Sequence, residues 1–245
     1  ARRKKRRKKL IKKIRNNLMA FDIKKNPRRV QIMGTGSGWE LAPRITNRMI
    51  YCLNYYVRIE KYGVKPDLLF MADVLDEKPQ VVSGFDNLGE IIAKINALGI
   101  PFIVPFKYEE IPLSQPFPLE QCVKEFGWPY FTNTICYMVA YALLQGVKEI
   151  DIYGVNQAGS HEYTEERGGV EYWIGMANGL GVKVTIHGES SQLLMFKGRY
   201  GRNILYGYLQ TYEEVMNAKK KFGEPLIKRL LAPRRPVSKT VREVN

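Results

Sequence analysis

Histidine is scarce in this sequence. His161 and His187 are the only two among 245 residues and stand apart, so an all-histidine metal cage cannot be built. The three cysteines, Cys52, Cys122 and Cys136, are odd in number, sit among apolar residues and never fall in a C-x-x-C spacing. That pattern argues against a disulfide scaffold or a zinc site and for a reducing, cytoplasmic setting. No run of eighteen apolar residues occurs, so no membrane-spanning helix is expected, and the basic start lacks the apolar stretch of a secretory signal. Acidic residues are missing from the first 29 positions except for Asp22, against fifteen Lys and Arg there, a net of about +14. The remaining 216 residues hold 24 Lys and Arg against 23 Asp and Glu, so the body is close to neutral although the whole chain carries +15. Disorder over most of the length is excluded by a content of 45% hydrophobic and 11% aromatic residues.

The chain reads as a basic arm over 1–29, a nucleotide-binding body over 30–210 and a C-terminal helix with a basic tail over 211–245. In the arm, Arg2, Arg3, Lys4, Lys5, Arg6, Arg7, Lys8 and Lys9 precede Leu10, Ile11, Ile14, Leu18 and Phe21, which fall at helical spacing with Lys12, Lys13 and Arg15 on the other faces. A basic amphipathic helix suits nucleic acid, DNA or RNA, as its partner; an anionic membrane, an acidic protein, an import signal or a solvated tail fit the same composition. The tail adds Lys228, Arg229, Arg234, Arg235, Lys239 and Arg242.

The body alternates short apolar runs with longer amphipathic segments. Strands are expected at Val30–Met33, Met49–Leu53, Leu68–Met71, Ile100–Val104, Glu149–Tyr153 and Lys183–His187, and helices at Asp86–Leu98, Leu119–Phe126, Thr134–Leu144, Gly169–Gly179 and Tyr212–Leu231. Near-continuous apolar strands separated by helices predict a Rossmann-like α/β fold, doubly wound, with a mainly parallel sheet covered on both faces. Leu98-Gly99-Ile100, Gln145-Gly146-Val147 and Leu180-Gly181-Val182 repeat one event, a helix that ends on glycine and drops into a strand.

Gly34-Thr35-Gly36-Ser37-Gly38 follows the first strand, where a glycine loop lets backbone N–H groups approach a phosphate. It is neither a dinucleotide fingerprint, since Trp39 stands where glycine is needed, nor a Walker A loop; a tight turn with no ligand is the plain alternative. Asn54, Asp73 and Asn156 follow the second, third and fifth expected strands and converge on the same edge of the sheet, where ligands of open α/β sheets bind. Asn133 and Thr134 open a long helix, a position that serves capping and ligand contact equally. Asp73 and Asp76 offer carboxylates for one magnesium, with a solvated loop as the alternative, and no firm metal site is assigned. His161 is expected in a solvent-facing loop, with Glu162, Glu165 or Glu166 near enough to orient it as a general base; His187, at a strand end, suits a hydrogen-bonded structural role.

The order G-x-G-S at the first strand end, C-L-N at the second, T-N-T before Cys136-Tyr137-Met138-Val139-Ala140, then G-V-K-E-I-D-I-Y-G-V-N, resembles the bacterial sialyltransferases that use a CMP-activated sugar, and related proteins of bacteriophage type. The resemblance spans roughly residues 30–195. It implies that Gly34, Gly36 and Ser37 hold the nucleotide phosphate, that Asn54, Asn133 and Thr134 contact the nucleotide, that His161 is the base, and that Tyr163 and Tyr172 are candidates to steady the leaving phosphate. Asn156 stands where the family carries Asp, and the loop lacks its Gly-Pro-Ser. The expected function is a nucleotide-sugar-dependent glycosyltransferase brought to a polyanionic acceptor by its arm. The alternatives are a non-enzymatic nucleic-acid-binding or virion-associated packaging protein, and a magnesium-dependent diphosphotransferase.

Overall fold

The computed structural model describes residues 25–53, 63–73, 88–158, 161–189, 191–194, 203–207 and 210–222, with 88, 161–163 and 222 described in backbone alone. The chain divides into two compact units, Ala1–Leu193 and Leu194–Asn245. In the first, β1 (Asn26–Met33), β2 (Arg48–Leu53), β3 (Leu68–Phe70), β4 (Phe102–Val104), β5 (Ser114–Pro116), β6 (Glu149–Tyr153) and β7 (Lys183–His187) form one sheet in the order β5-β4-β3-β2-β1-β6-β7. Every neighbouring pair is parallel. Helices α1 (Leu88–Leu98), α2 (Leu119–Phe126), α3 (Thr134–Leu144) and α4 (His161–Gly179) complete it. The architecture is the doubly wound α/β, Rossmann-like class that the sequence predicts.

Side chains alternate across the strands, so each strand feeds two cores. On one face Val30 and Ile32 of β1, Tyr51 of β2, Phe70 of β3 and Ile150 and Ile152 of β6 pack against α2, α3 and α4. On the other, Met33, Ile50, Cys52, Leu69, Phe102 and Tyr153 pack with Ile91 and Ile95 of α1. Helix α3 buries seven of its eleven residues, which explains why its sequence shows little polar stripe. Phe131 stacks between Tyr137, at 4.4 Å, and Trp173, at 4.9 Å, and the Trp173 indole N–H donates to Tyr130 O at 2.7 Å. The helix-to-strand glycines behave as expected. Gly146 and Gly181 adopt φ of 67° and 75°, and the next residues, Val147 and Val182, return N–H groups to Ala142 O and Ala177 O while burying their side chains.

Several local expectations are corrected. The sheet has a seventh strand, β5, whose Ser-Gln-Pro gives no apolar run; it pairs only with β4, and an edge strand tolerates proline. The fourth strand begins at Phe102 rather than Ile100, because Gly99 is left-handed and Pro101 has no N–H to donate. The first begins at Asn26, inside the stretch read as arm, with a register irregularity between Asn26 and Val30. Helix α4 starts at His161, not near Gly169, so His161 opens a helix and does not sit in a loop. Gly168 and Gly169 are there for close packing: a Cβ on Gly169 would collide with the Thr132 side chain, and one on Gly168 would come within 2.8 Å of the Tyr130 hydroxyl.

In the second unit, α5 (Tyr212–Phe222) starts on a capping box. The Thr211 hydroxyl accepts from Glu214 N–H at 3.2 Å, and the Glu214 carboxylate accepts from Thr211 N–H at 2.8 Å. The arm residues 2–15 with their amphipathic helix, Asn54, Asp76 and the tail from 223 onward lie outside the described residues. Among the described residues no helix is long and apolar enough to cross a membrane.

Candidate functional site

Strand order reverses at β1. Strands β2 to β5 extend to one side of it and β6 and β7 to the other, which opens the crevice of a doubly wound sheet above the carboxyl ends of β1 and β6. The glycine loop after β1 and the Gly154–Gln157 turn after β6 meet there. Gly34 N–H donates to Tyr153 O and Gly36 N–H to Gly154 O, both at 2.8 Å, so the parallel ladder continues beyond the strands. A Cβ on Gly34 would strike Gly154 O, one on Gly36 would stand 2.8 Å from Asn156 Nδ2, and one on Gly154 would stand 2.8 Å from Gly36 O. The glycines are therefore required by the approach of two backbones. The amides of Gly34 and Gly36 are spent inside the protein, so any phosphate contact from this loop must use its other groups.

Beyond that seam the loop carries polar side chains. Asn156 Nδ2 donates to Ser37 Oγ at 2.8 Å, and Asn156 O accepts from Gln192 N–H at 2.8 Å. Gly38 lies against Gly188 at the end of β7, where a Cβ on Gly38 would stand 3.3 Å from Gly188 Cα. Thr35 is exposed. Gln157, which sequence reasoning passed over, adopts a left-handed φ of 50°, and its Oε1 is buried with no hydrogen-bond partner. Gln157 thus joins a left-handed backbone to a buried acceptor without a protein partner, a lack it shares with Gln31 Oε1, Arg48 Nη1 and Gln210 Oε1. Nothing in the one-letter code signals a glutamine in that conformation.

A second group gathers at the end of β3. Ala72 N–H donates to the Thr134 hydroxyl at 3.3 Å, and Asp73 follows, exposed. Asn133 caps α3 by accepting from Cys136 N–H, while its Nδ2 donates to Glu166 Oε2 at 3.0 Å; Thr132 Oγ1 donates to Glu166 O at 2.6 Å. Glu166, a residue suggested for orienting His161, thus ties the first turns of α4 to the start of α3. An apolar recess lined by Phe70, Met71, Ile103, Phe117 and Tyr137 adjoins Ala72. The strand ends of β1 and β3 lie two strand spacings apart, about 10 Å, so the two groups flank one stretch of the carboxyl edge. Among the described residues no cluster of three or more His, Cys, Asp or Glu could hold a metal ion, and Asp73 has no second described carboxylate from the expected magnesium pair.

Charged residues line the sheet face below the glycine seam. Arg48 Nε pairs with Asp151 Oδ2 at 2.7 Å and Arg48 Nη2 with Glu149 Oε2 at 3.1 Å; Arg29 Nη2 takes the other Glu149 oxygen at 3.1 Å. His187 Nε2 lies 3.0 Å from Asp151 Oδ1, and its ring stacks on Tyr153 with centroids 4.2 Å apart and planes 6° apart. Burial pushes the Tyr153 hydroxyl up from its ordinary pKa, with Asp151 adding to the rise and Arg48 opposing it.

No family model matches this chain, and no curated protein matches it. Among solved structures the chain is similar to the sialyltransferase CstII from Campylobacter jejuni in complex with a substrate analogue, CMP-3FNeuAc, at 14% sequence identity over 73% of this chain and 89% of that one, with a TM-score of 0.47.

Proposed function

We propose that the chain binds a nucleotide-activated sugar at the carboxyl edge of β1 and β6 and transfers the sugar to a hydroxyl of a polyanionic acceptor, nucleic acid first. The observation that carries this reading is the Ser37–Asn156 pair and the Gln157 amide gathered at the carboxyl edge where strand order reverses between β1 and β6. A nucleotide needs donors for phosphate and acceptors for base or ribose hydroxyls. Ser37, Asn156, Asn133, Thr134 and Gln157 supply both kinds, and the recess beside Ala72 supplies apolar surface. The family resemblance favours a CMP-type donor. In this reading groups of the loop meet the charge growing on the leaving phosphate, and the base is His161, the first residue of α4. The arm supplies attraction to a polyanion, which the nearly neutral body lacks.

A thermal-shift screen of CMP, UDP, GDP and ATP, with and without magnesium, tests it. One nucleotide should raise the melting temperature in proportion to the logarithm of its concentration over its dissociation constant. No response to any of the four sinks the nucleotide site. The second reading, a non-enzymatic nucleic-acid-binding platform, is favoured by one observation: the Gly34 and Gly36 amides, which a phosphate loop would present outward, are bonded to β6. Tight DNA or RNA binding without any nucleotide response would select it.

A further inference from the structure

The excess positive charge of the chain lies toward its two ends in sequence. Residues 30–193 hold 12 Lys and Arg against 19 Asp and Glu, a net of −7, while residues 194–245 hold 12 against 4, a net of +8. The second compact unit, Leu194–Asn245, is therefore cationic in its own right. We propose that this unit is a second nucleic-acid-binding surface, which stacks unpaired bases on Tyr206 and Tyr212 and attracts their phosphates with Lys219, Lys220 and Lys221. It shares a polyanionic partner with the functional reading above but not the nucleotide site, so either can fail without the other.

The backbone holds both rings out. Leu205 N–H donates to Gln210 O at 2.8 Å and closes a tight turn in which Gly207 adopts a φ of 87°. At that turn Tyr206 is 90% exposed, the highest value among the large hydrophobic residues described. Tyr212, the first residue of α5, is 62% exposed, and the Thr211–Glu214 capping box fixes where its helix starts. A tyrosine ring gives a large contact area at low cost in conformational entropy, and stacking tolerates any base.

The charge comes from the other end of the same helix. Lys219, Lys220 and Lys221 are all exposed in the last turn of α5, where the helix dipole favours cations. Two helical turns, about 10 Å, separate Tyr212 from Lys219 and put both on one stripe of the helix. Of the acidic residues in the first turn, Glu214 accepts from Thr211 N–H, and Glu213 points about 100° around the helix from Tyr212. An anionic membrane needs a wide apolar face as well as cations. The apolar stripe of α5 is used inside the unit, with Val215 4% exposed, and the two exposed rings carry polar hydroxyls. Single-stranded nucleic acid is the occupant this surface fits.

The test uses the full chain with fluorescent oligo-dT, duplex DNA of equal length, and vesicles of phosphatidylcholine with phosphatidylserine as probes. Lys219→Gln, Lys220→Gln and Lys221→Gln combined should reduce the salt slope on oligo-dT by about 2, at about 0.7 per phosphate. Tyr206→Ala and Tyr212→Ala should each weaken oligo-dT binding by about 5–100-fold at an unchanged slope, with duplex affinity unchanged. Photocross-linking of iodouracil-substituted DNA to the parent chain should label Tyr206 or Tyr212, a result that stands even if a variant unfolds. Cross-links confined to residues 1–29 overturn the proposal, as does a parental slope in the lysine variant or parental oligo-dT affinity in both tyrosine variants. Losses on vesicles with none on oligo-dT overturn it in favour of a membrane surface.

Discussion

Gly36 donates its N–H to Gly154 O at 2.8 Å, and a Cβ on either residue would come within 3 Å of the other's carbonyl oxygen. Gly154 also has a φ of 63°, so it is constrained both by its own dihedral and by its neighbour. Gly146 shares the dihedral, at 67°, but a Cβ there meets nothing within 4 Å. Gly146→Ala should therefore cost only the left-handed strain, about 1–2 kcal/mol. Gly154→Ala should cost at least twice that, because the seam must part, and Gly36→Val should unfold the chain earlier as well as weaken nucleotide binding. Urea unfolding of the three variants checks the order; equal losses for Gly154→Ala and Gly146→Ala would refute the seam.

Gln157 should trade stability for binding. Gln157→Gly relieves its left-handed backbone and removes the unpaired buried Oε1, so the melting temperature should rise by about 2–4 °C, the shift of roughly 1 kcal/mol in a chain of this size. Nucleotide-dependent stabilisation should fall in the same variant. A variant that is both less stable and equally responsive to nucleotide contradicts a ligand role for Gln157.

The Cys122 thiol gives the protein an alkaline limit. Burial raises its pKa from 9.0 to about 11, and the buried thiols of Cys52 and Cys136 are raised for the same reason. The unfolded thiol ionises at its ordinary value while the folded one stays protonated. Between pH 9 and about 11 the unfolded chain therefore holds fewer protons, and stability falls as pH rises; below pH 9 the contribution is fully present. Urea midpoints should decline from pH 9 upward, less steeply in Cys122→Ala. A thiol reagent at pH 8 should label all three cysteines only after denaturation.

Deleting residues 1–24 removes twelve Lys and Arg but spares Lys25, whose Nζ pairs with Asp67 at 3.4 Å, and leaves β1 whole. Log affinity for duplex DNA should fall linearly with log salt at about −0.9 per neutralised phosphate in the full chain, and the slope should flatten in the truncated one. DNA and RNA binding should weaken together, because phosphate contacts carry little sequence information. Nucleotide-induced stabilisation should persist. Undiminished DNA affinity after truncation, or preference of the arm peptide for anionic vesicles, would set the arm to another task.

The sheet class was legible because its signals are local. Apolar runs such as Val30–Met33 and the glycines at 99, 146 and 181 depend on neighbours a few residues away, as do the Asn133 cap and the position of Gly34–Ser37 at a strand end. Misreadings occurred where a distant segment set the local sequence. The helix expected from Gly169 begins at His161 instead, and Gly168 and Gly169 are where Tyr130 and Thr132 press on the middle of α4. Ser114–Pro116 carries no periodicity and becomes a strand because the edge of β4 is free to pair with it.

By itself the sequence determined the doubly wound α/β class and the concentration of positive charge in the first 29 residues, since period, charge and turn propensity act over short spans of chain. Only the tertiary structure decided what the glycine loop touches. Its amides close on β6, not on a ligand, because strand order reverses at β1 and sets Gly34 and Gly36 beside Gly154. The same reversal joins Arg48 of β2, Asp151 of β6 and His187 of β7 into one charged network, which no spacing in the chain could announce because parallel strands bring together residues that the crossovers hold far apart in sequence.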